Sequence, residues 1–277
     1  MGNIRECDAI VHVVRCFEDE NIVHVEGGVD PRRDIEVINL ELMLADLGQV
    51  EKRMSKLKGK VRSGKGEGDV LEMEALEKLG KGLNEGVLGR RVRLSKEERE
   101  VVKGLGLLTM KPVIYAANVE DGDLAEGNKW VEEVRELARG EDAKVVIISA
   151  QVESELVSLS EEEQQEFLGS LGVSENTTGL KALVKAQYDL LGLRTYFTSG
   201  PQETRAWTIR AGMKAPQAAG VIHSDFERGF IRAETIHFDK LAAVGSEKTA
   251  KENGLMRSEG RDYEVAEGDV CLFRFNV

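Results

Sequence analysis

The sequence predicts an α/β protein: a parallel sheet with an inserted antiparallel helical hairpin, followed by a small β-grasp domain. Three short apolar runs rich in β-branched residues alternate with helical patterns, which is the order that gives a parallel sheet. A long stretch of helical periodicity interrupts this alternation. The C-terminal part changes to short strands around one helix, so a second fold follows the first.

The three apolar runs have the length and the Val and Ile content of strands that are buried on both faces. They are DAIVHVV at Asp8–Val14, PVIYAA at Pro112–Ala117 and KVVIIS at Lys144–Ser149. A helical pattern that contains Trp130 and Val134 separates the last two runs. This strand, helix, strand order predicts parallel pairing.

Two long helical patterns predict the hairpin. Apolar residues recur every three or four positions from Asp34 to Leu57, and the spacing resumes from Val70 to Asn84. The segment between them, Gly59 to Asp69, is rich in glycine and charge and predicts a flexible tip. The two helices can therefore pair as an insertion of coiled-coil type.

The C-terminal segment predicts a compact sheet crossed by one helix. Strands are expected at Ala206–Arg210, Phe230–Ile236 and Asp269–Asn276. A helix is expected to begin near Lys214, because Pro216 suits the first turn of a helix. This order is typical of a β-grasp domain.

Composition narrows the classes of function. The net charge of −12 disfavours a general nucleic-acid coat, and we expect no DNA partner. No apolar run approaches the roughly 20 residues that span a bilayer, and the N-terminus lacks a signal or transit pattern. We therefore expect a cytoplasmic protein without a membrane partner; a plastid stroma location would need a transit peptide upstream. Cys7, Cys16 and Cys271 predict free thiols in a reducing compartment.

The residues predict neither a phosphate-binding loop nor a metal site. Gly59, Gly64 and Lys65 match part of the Walker pattern G-x-x-x-x-G-K-[ST], but Gly66 occupies the hydroxyl position and a charged helix precedes the match. His12 and the other histidines lack the spacing to Cys or carboxylate residues that is typical of zinc sites. We therefore predict no metal ligand and no catalytic residue.

Polar residues follow two of the predicted strands at the edge of the sheet where ligands bind. They are Asn118, Val119, Glu120 and Asp121 after the second run, and Ser149, Ala150 and Gln151 after the third. An amide and a carboxylate can pair with the edge of a purine, and backbone N–H groups can close over the same base. The pattern equally suits a turn capped by Asn118 beside a solvated Asp121.

Seven blocks of sequence carry a specific resemblance. They are NIRE at 3–6, VHVVRCF at 11–17, NIVHV at 21–25, DIEVIN at 34–39, RAWTI at 205–209, APQAAG at 215–220 and IHSDFERGFI at 222–231. In these blocks the chain resembles the YchF/Obg-like ATPases, a branch of the P-loop GTPases, over essentially its whole length. The resemblance implies a nucleotide site for ATP or GTP with Mg²⁺, ATP hydrolysis, and association with ribosomes or ribosomal RNA.

The resemblance also implies a domain organisation. We expect a partial P-loop G domain at residues 1–33 and 106–191, the helical hairpin at 34–105 and a TGS domain of β-grasp type at 192–277. The family typically has Asn-x-x-Glu as its base-recognition motif. Here the ungapped match is Asn118-x-x-Asp121, whereas a one-residue deletion places Glu120 in the role of the glutamate.

The family's Walker loop, first switch and Asp-x-x-Gly motif precede the position that matches Asn3. Because these parts hold the phosphates and Mg²⁺, we expect little or no hydrolysis by this chain alone. We also expect the remaining half-sheet to expose an edge, and the native product to extend upstream.

The sequence is compatible with two functions. The first is a nucleotide-binding ATPase in which Asn118 and Ser149 contact the base. The second is a non-enzymatic module in which the TGS domain and the hairpin bind a ribosome, an RNA or a protein. Its basic candidates can contact phosphate, and they equally suit ordinary solvated charges. They are Arg205, Arg210, Lys214, Arg228 and Arg232.

Overall fold

The computed structural model describes residues 2–19, 27–62, 67–141, 143–173, 179–200 and 203–276 of the chain. The chain consists of two compact units, Met1–Gln187 and Tyr188–Val277. The NIVHV block at 21–25 and the Walker-like positions Gly64, Lys65 and Gly66 lie outside the described residues.

The first unit is built on a three-stranded parallel sheet in the order β1-β2-β3. The strands are β1 (Ile10–Arg15), β2 (Val113–Asn118) and β3 (Lys144–Ile148). The parallel pairing confirms the prediction from the strand, helix, strand order. Arg15 pairs with Asn118, and Asn118 pairs with Ile148, so the three carboxyl ends meet in one row. The central strand is buried up to its last residue, Asn118.

Helices surround this sheet and form the hairpin. They are α1 (Gly2–Arg5), α2 (Pro31–Arg62), α3 (Glu67–Asn84), α4 (Lys96–Lys103), α5 (Lys129–Glu141), α6 (Ala150–Leu156), α7 (Glu161–Ser170) and α8 (Gly179–Leu191). Val131 and Val134 of α5 share a buried cluster with Val14 and Tyr115 of the sheet. None of the helices in the described part of the chain combines the length and the apolar character that a membrane crossing needs.

The hairpin is longer than the sequence predicts. Helix α2 begins at Pro31, because proline fits the first helical turn, and it continues past Gly59 to Arg62. Helix α3 begins at Glu67, so the helices extend into both ends of the predicted tip from Gly59 to Asp69, and the prediction is wrong there. The middle of the tip, 63–66, lies outside the described residues. Packing of the two helices in one apolar cluster outweighs the low helix propensity of glycine.

A buried carboxylate joins the hairpin to the segment that leads into β2. Asp46 of α2 is fully buried. It accepts hydrogen bonds from the backbone N–H groups of Leu108 (2.9 Å) and Thr109 (2.7 Å) and from Thr109 Oγ1 (2.8 Å). It also forms an ion pair with Arg5 (2.9 Å). These donors compensate the charge, which would otherwise be costly to bury.

The second unit is a five-stranded mixed sheet in the order β5-β4-β8-β6-β7. The strands are β4 (Leu193–Ser199), β5 (Thr204–Arg210), β6 (Phe230–His237), β7 (Arg257–Glu259) and β8 (Asp269–Phe275). Strands β4 and β8 pair in parallel, and the other neighbours are antiparallel. This is the β-grasp arrangement that the sequence predicts, with the additional strands β4 and β7.

The sequence predicts one helix in the second unit, and the described part of this unit contains four. They are α9 (Ala215–Ile222), α10 (Ser224–Arg228), α11 (Phe238–Val244) and α12 (Glu247–Glu252). Helix α9 is the predicted crossing helix, and the hydroxyl of Tyr196 donates to the carbonyl of Ala218 on it (2.9 Å). The other three are too short to produce a recognisable apolar period.

Substituting Asp46→Ala tests the contact between the hairpin and β2. We expect the free energy of unfolding to fall by about 3–5 kcal/mol, because two backbone N–H groups and Arg5 lose their partner. Denaturant unfolding followed by circular dichroism measures the change. Glu41→Ala, on an exposed position of the same helix, is the control and should change the stability by less than about 0.5 kcal/mol. Equal effects of the two substitutions would contradict the role assigned to Asp46.

Candidate functional site

A cleft of about 510 Å³ opens at the carboxyl edge of the parallel sheet. Six of the seven sequence-predicted site residues line it, and the seventh, Ser149, is buried directly beneath it. The six are Asn118, Val119, Glu120, Asp121, Ala150 and Gln151. Phe17, Asp19 and Gly122 complete the lining of the cleft. The structure therefore brings together residues from two loops that the sequence separates by almost thirty positions.

Asn118 connects the two loops of the cleft. It is the last residue of β2, and its side-chain oxygen accepts a hydrogen bond from the backbone N–H of Ala150 (2.9 Å). Its amide nitrogen donates to none of the described residues. The contact therefore fixes the amide plane and leaves the two N–H bonds of Asn118 available to a ligand.

Ser149 holds the acidic turn and begins the following helix. Its hydroxyl donates to Asp121 Oδ1 (3.1 Å) and accepts from the backbone N–H of Val152 (3.3 Å), which caps α6. The sequence predicts that the third run extends to Ser149, but β3 ends at Ile148, so this serine belongs to the helix cap and not to the strand. Asp121 itself begins a short 3₁₀ turn that runs to Asp123.

The two acidic candidates have different surroundings. Asp121 is half-buried and bonded to Ser149, whereas Glu120 is exposed at the cleft. The Glu120 carboxylate has no hydrogen bond or ion pair within the described part of the chain. Asp121 therefore has a positioning contact, and Glu120 presents a free acceptor to the cleft.

Asn128 stabilises the cleft, although sequence reasoning missed it. Its amide nitrogen donates to the carbonyl of Cys16 (2.8 Å) and to Asp123 Oδ2 (2.7 Å). Its oxygen accepts from the backbone N–H groups of Trp130 and Val131 at the start of α5. Asparagine just before a helical pattern is a capping signal, but nothing local indicates the contact with Cys16.

Phe17 adds an aromatic surface to the cleft, and the sequence analysis did not single it out as a site residue. The guanidinium of Arg15 lies 4.9 Å from the centre of its ring, and Arg15 Nε donates to the Phe17 carbonyl (3.0 Å). An aromatic residue two positions after the end of a strand, at the ligand edge of a sheet, is the signal that could have identified it. Such a ring can stack on a planar base.

Cys16 and His12 have shifted pKa values. Burial, with Glu133 nearby, raises the pKa of the Cys16 thiol to about 12, so the thiolate is strongly disfavoured. Burial lowers the pKa of His12, while the charges of Asp34 and Glu141 oppose that shift. Neither residue lines the cleft. In the described ranges, no three His, Cys, Asp or Glu side chains group closely enough to hold a metal ion.

The five basic candidates lie on or beside four elements of the second unit, and most have partners. Lys214 pairs with Asp262 (2.7 Å), Arg228 pairs with Asp225, and Arg205 stacks on Trp207 (4.2 Å). Arg210 ends β5 and is exposed, without a partner among the described residues.

Arg232 belongs to a cluster around Glu234. Its guanidinium lies 3.1 Å from that carboxylate, and Arg274 and Lys251 lie within 3.3 Å of it. The hydrogen bonds from Arg274, then those from Arg232 and Lys251, lower the pKa of Glu234 to about 2. One acid thus compensates part of the charge of three cations.

The fold and the cleft define the class of this protein: an α/β protein of the P-loop GTPase type with a helical insertion and a C-terminal β-grasp domain. The family model YchF-GTPase_C, described as a protein of unknown function (DUF933), matches residues 193–276. A chain titled "Structure of the Schizosaccharomyces pombe YchF GTPase" superimposes with a TM-score of 0.83 at 34% identity. The match covers 99% of this chain and 74% of that one.

Curated relatives extend over the whole chain. The ribosome-binding ATPase YchF of Bacillus subtilis (strain 168) is 51% identical over 279 residues, which cover 100% of this chain and 75% of the relative. The protein of the same name from Escherichia coli O157:H7 is 49% identical, with the same shares covered. The chain belongs to the YchF family.

Substitutions of two serines test the hydrogen bond between Ser149 and Asp121 beneath the cleft. Ser149→Ala should lower the free energy of unfolding by about 2 kcal/mol, because it removes a helix cap and leaves Asp121 without its donor. Ser160→Ala should cost only about 1 kcal/mol, because Ser160 caps α7 through Glu163 at an exposed position. Denaturant unfolding measures both, and hydrogen exchange at Val152 reports the local effect. Equal costs would show that the bond to Asp121 contributes nothing.

Proposed function

We propose that this chain supplies the base-recognition part of an ATPase nucleotide site and that the protein associates with ribosomes. The relatives with 51% and 49% identity are named as ribosome-binding ATPases. The observation that carries the nucleotide assignment is the hydrogen bond between Asn118 and Ala150, which fixes the Asn118 amide in a cleft that Glu120 also lines. A cytoplasmic location follows from this function as part of the proposal.

The hydrogen-bonding pattern of the cleft favours adenine. Adenine presents N7 as an acceptor beside its N6 amino donor, whereas guanine presents two acceptors, N7 and O6, at the same edge. The free N–H groups of Asn118 suit N7 of either purine. The Glu120 carboxylate suits the amino group of adenine, although it can also accept from the N1–H and amino groups of guanine, so the preference depends on the Ala150 N–H. The Ala150 N–H, which could serve guanine O6, is already bonded to Asn118. The Phe17 ring supplies a stacking surface for either purine.

The acidic residues have separate roles in this proposal. Glu120 accepts from the base, and Asp121 positions the loop through Ser149. This assignment corresponds to the alignment with a one-residue deletion, in which Glu120 takes the position of the family's glutamate. It rests on the free carboxylate of Glu120 and on the engaged oxygen of Asp121.

The chain offers contacts for the base of a nucleotide, but it lacks the residues that usually bind the phosphates and Mg²⁺. The 277 residues contain no complete G-x-x-x-x-G-K-[ST] sequence, so they supply no cradle of backbone N–H groups with an adjacent Lys and hydroxyl. Mg²⁺ with the triphosphate would supply charge compensation at the transferred phosphoryl group. We propose that these 277 residues bind the base and do not hydrolyse ATP by themselves.

Comparison of adenosine with ATP tests this division of the site. If the chain holds only the base, adenosine and ATP should bind with affinities within about threefold of each other, since the phosphates gain no favourable contact. GTP should bind more weakly, and no phosphate release should be detected. Titrations followed by NMR of the Asn118 side-chain amide can measure such weak binding. Binding of ATP at least about 100-fold tighter than adenosine would contradict the proposal.

Substitutions in the acidic turn test the separate roles. Glu120→Gln should weaken adenosine binding by about 10-fold or more, because it removes a charged acceptor. Asp121→Asn should have a smaller effect on binding and a larger one on stability. Glu126→Gln, an exposed acid outside the cleft, is the control with the same charge change. A larger binding loss for Asp121→Asn than for Glu120→Gln would exchange the two roles.

The second function, an interaction module, is compatible with the first. In the second unit, Arg210 is the basic candidate with the freest side chain, so the sheet edge at β5 is the proposed contact there. Salt-dependent co-sedimentation of the Arg210→Ala, Lys214→Ala double variant with ribosomes would test the predicted set of basic residues.

A further inference from the structure

Three cations surround one carboxylate on the sheet of the second unit. Arg232 of β6, Arg274 of β8 and Lys251 of α12 all lie within 3.3 Å of the carboxylate of Glu234. We propose that this cluster binds a doubly charged phosphate group, either of a small phosphate monoester or of inorganic phosphate. The inference goes beyond the proposed function, because it assigns a second site whose residues do not line the base cleft.

The cluster lies on an uncovered part of one face of the sheet. Alternate residues of a strand share a face, so Arg232 and Glu234 lie on the same face as Ile236. Ala250 of α12 covers Ile236 in a buried apolar cluster. Arg232 and Arg274 are opposite each other in register, and their side chains are 53% and 48% exposed. A ligand can therefore reach the two arginines from solvent.

The stability of the sheet does not account for this excess of cations. Like charges directly opposite each other on neighbouring strands are destabilising, and Arg232 faces Arg274. Glu234 compensates one of the three positive charges. Two positive charges stay uncompensated, because none of the three cations has a second ion pair among the described residues. A bound dianion would convert the remaining repulsion into attraction.

Glu234 positions the two arginines and leaves most of their donors free. Arg274 donates to the two carboxylate oxygens through Nε (3.2 Å) and Nη2 (3.3 Å), and Arg232 donates through Nη2 (3.1 Å). A guanidinium carries five N–H donors, and no described residue accepts from the others of these two side chains. The low pKa of Glu234, about 2 and caused first by the hydrogen bonds from Arg274, indicates a strong positive potential here.

The convergence of the cations favours a single dianionic group. A phosphate monoester carries about 1.5 to 2 negative charges at pH 7 and three acceptor oxygens, which several donors can share. The planar fork of arginine N–H groups matches those oxygens. Ser258 of β7 is exposed and opposite Glu234 in register, so its hydroxyl can supply one more donor. A nucleic-acid strand, by contrast, distributes single charges along its length and suits a row of cations.

The experiment compares three small phosphates. The probes are glycerol 3-phosphate, inorganic phosphate and dimethyl phosphate, a diester with a single negative charge. The test variant is Arg232→Gln, Arg274→Gln, and the variant Arg232→Lys, Arg274→Lys keeps the charge. The matched control is Arg210→Gln, Lys240→Gln, which removes two charges from exposed positions of the same unit. NMR of the backbone amides of β6 and β8 measures binding, and circular dichroism measures folding.

We expect the unmodified chain to bind glycerol 3-phosphate at least about 10-fold more tightly than dimethyl phosphate, because the monoester carries the additional charge. The glutamine variant should lose at least about 10-fold of that affinity. The lysine variant should lose less, and the control should stay within about twofold. Tighter binding of glycerol 3-phosphate than of inorganic phosphate supports the site as one for an ester, and the reverse order supports it as one for free phosphate.

Three results would overturn the inference. The first is equal affinity for dimethyl phosphate and glycerol 3-phosphate, and the second is an equal loss in the glutamine variant and the control. The third is tighter binding of a dephosphorylated RNA hairpin to the same amides, because a chain of diesters is then the ligand. If the glutamine variant does not fold, Lys251→Gln replaces it, since both arginines keep their contacts with Glu234. Unchanged binding of glycerol 3-phosphate to Lys251→Gln would then overturn the inference.

A titration with adenosine separates this inference from the proposed function. Adenosine binding should be the same in all the variants, since none of the substituted residues lines the cleft at the edge of the parallel sheet. Failure of the chain to bind adenosine would refute the base site and leave the phosphate site untouched. Failure to bind glycerol 3-phosphate and inorganic phosphate would refute only the phosphate site.

Discussion

The arrangement of the first unit depends on the buried carboxylate of Asp46. The N-terminal part of α2 contributes Ile35 to the core of the sheet, and the following part contributes Val50 to the core of the hairpin. Asp46 lies between these two residues and bonds to the segment that leads into β2. Asp46 therefore fixes the hairpin against the segment before the strand that ends in Asn118. A second link lies nearer the start of α2, where Asn39 and Tyr115 of β2 both donate to Glu141. Apolar packing stabilises each core, but it is not directional. The hydrogen bonds of Asp46 are directional, so they fix the orientation of the hairpin relative to the sheet.

The parallel sheet and the location of the cleft could be predicted from the sequence because both follow from local patterns. The Val- and Ile-rich runs indicate strands, and parallel strands in register bring Asn118 and Ser149 to one edge. The expected burial on both faces holds for β2 and not for β1, where Val13 is 59% exposed. The division of roles between Glu120 and Asp121 could not be predicted. It depends on a hydrogen bond from a serine 28 residues away, which leaves no local signal in the sequence.

A glycine and several short helices account for the other differences between the predicted and the observed elements. Gly59 looks like a helix end in the sequence, yet α2 continues through it because the facing helix supplies the packing. The helices α10 to α12 are each seven residues or fewer, so their caps, and not their apolar spacing, mark them. The contact from Asn128 to Cys16 crosses 112 positions and becomes visible only once β1 and β2 are paired.

The three cysteines, all in the described part of the chain, differ in chemical reactivity. Cys16 and Cys271 are buried, and burial raises the pKa of each thiol to about 12, whereas Cys7 is exposed. A thiol-directed fluorophore would therefore attach at one position without any engineered substitution. Cys7 lies two residues from Arg5, the cation that pairs with Asp46. The natural sequence thus places a spectroscopic reporter beside the junction between the hairpin and the sheet.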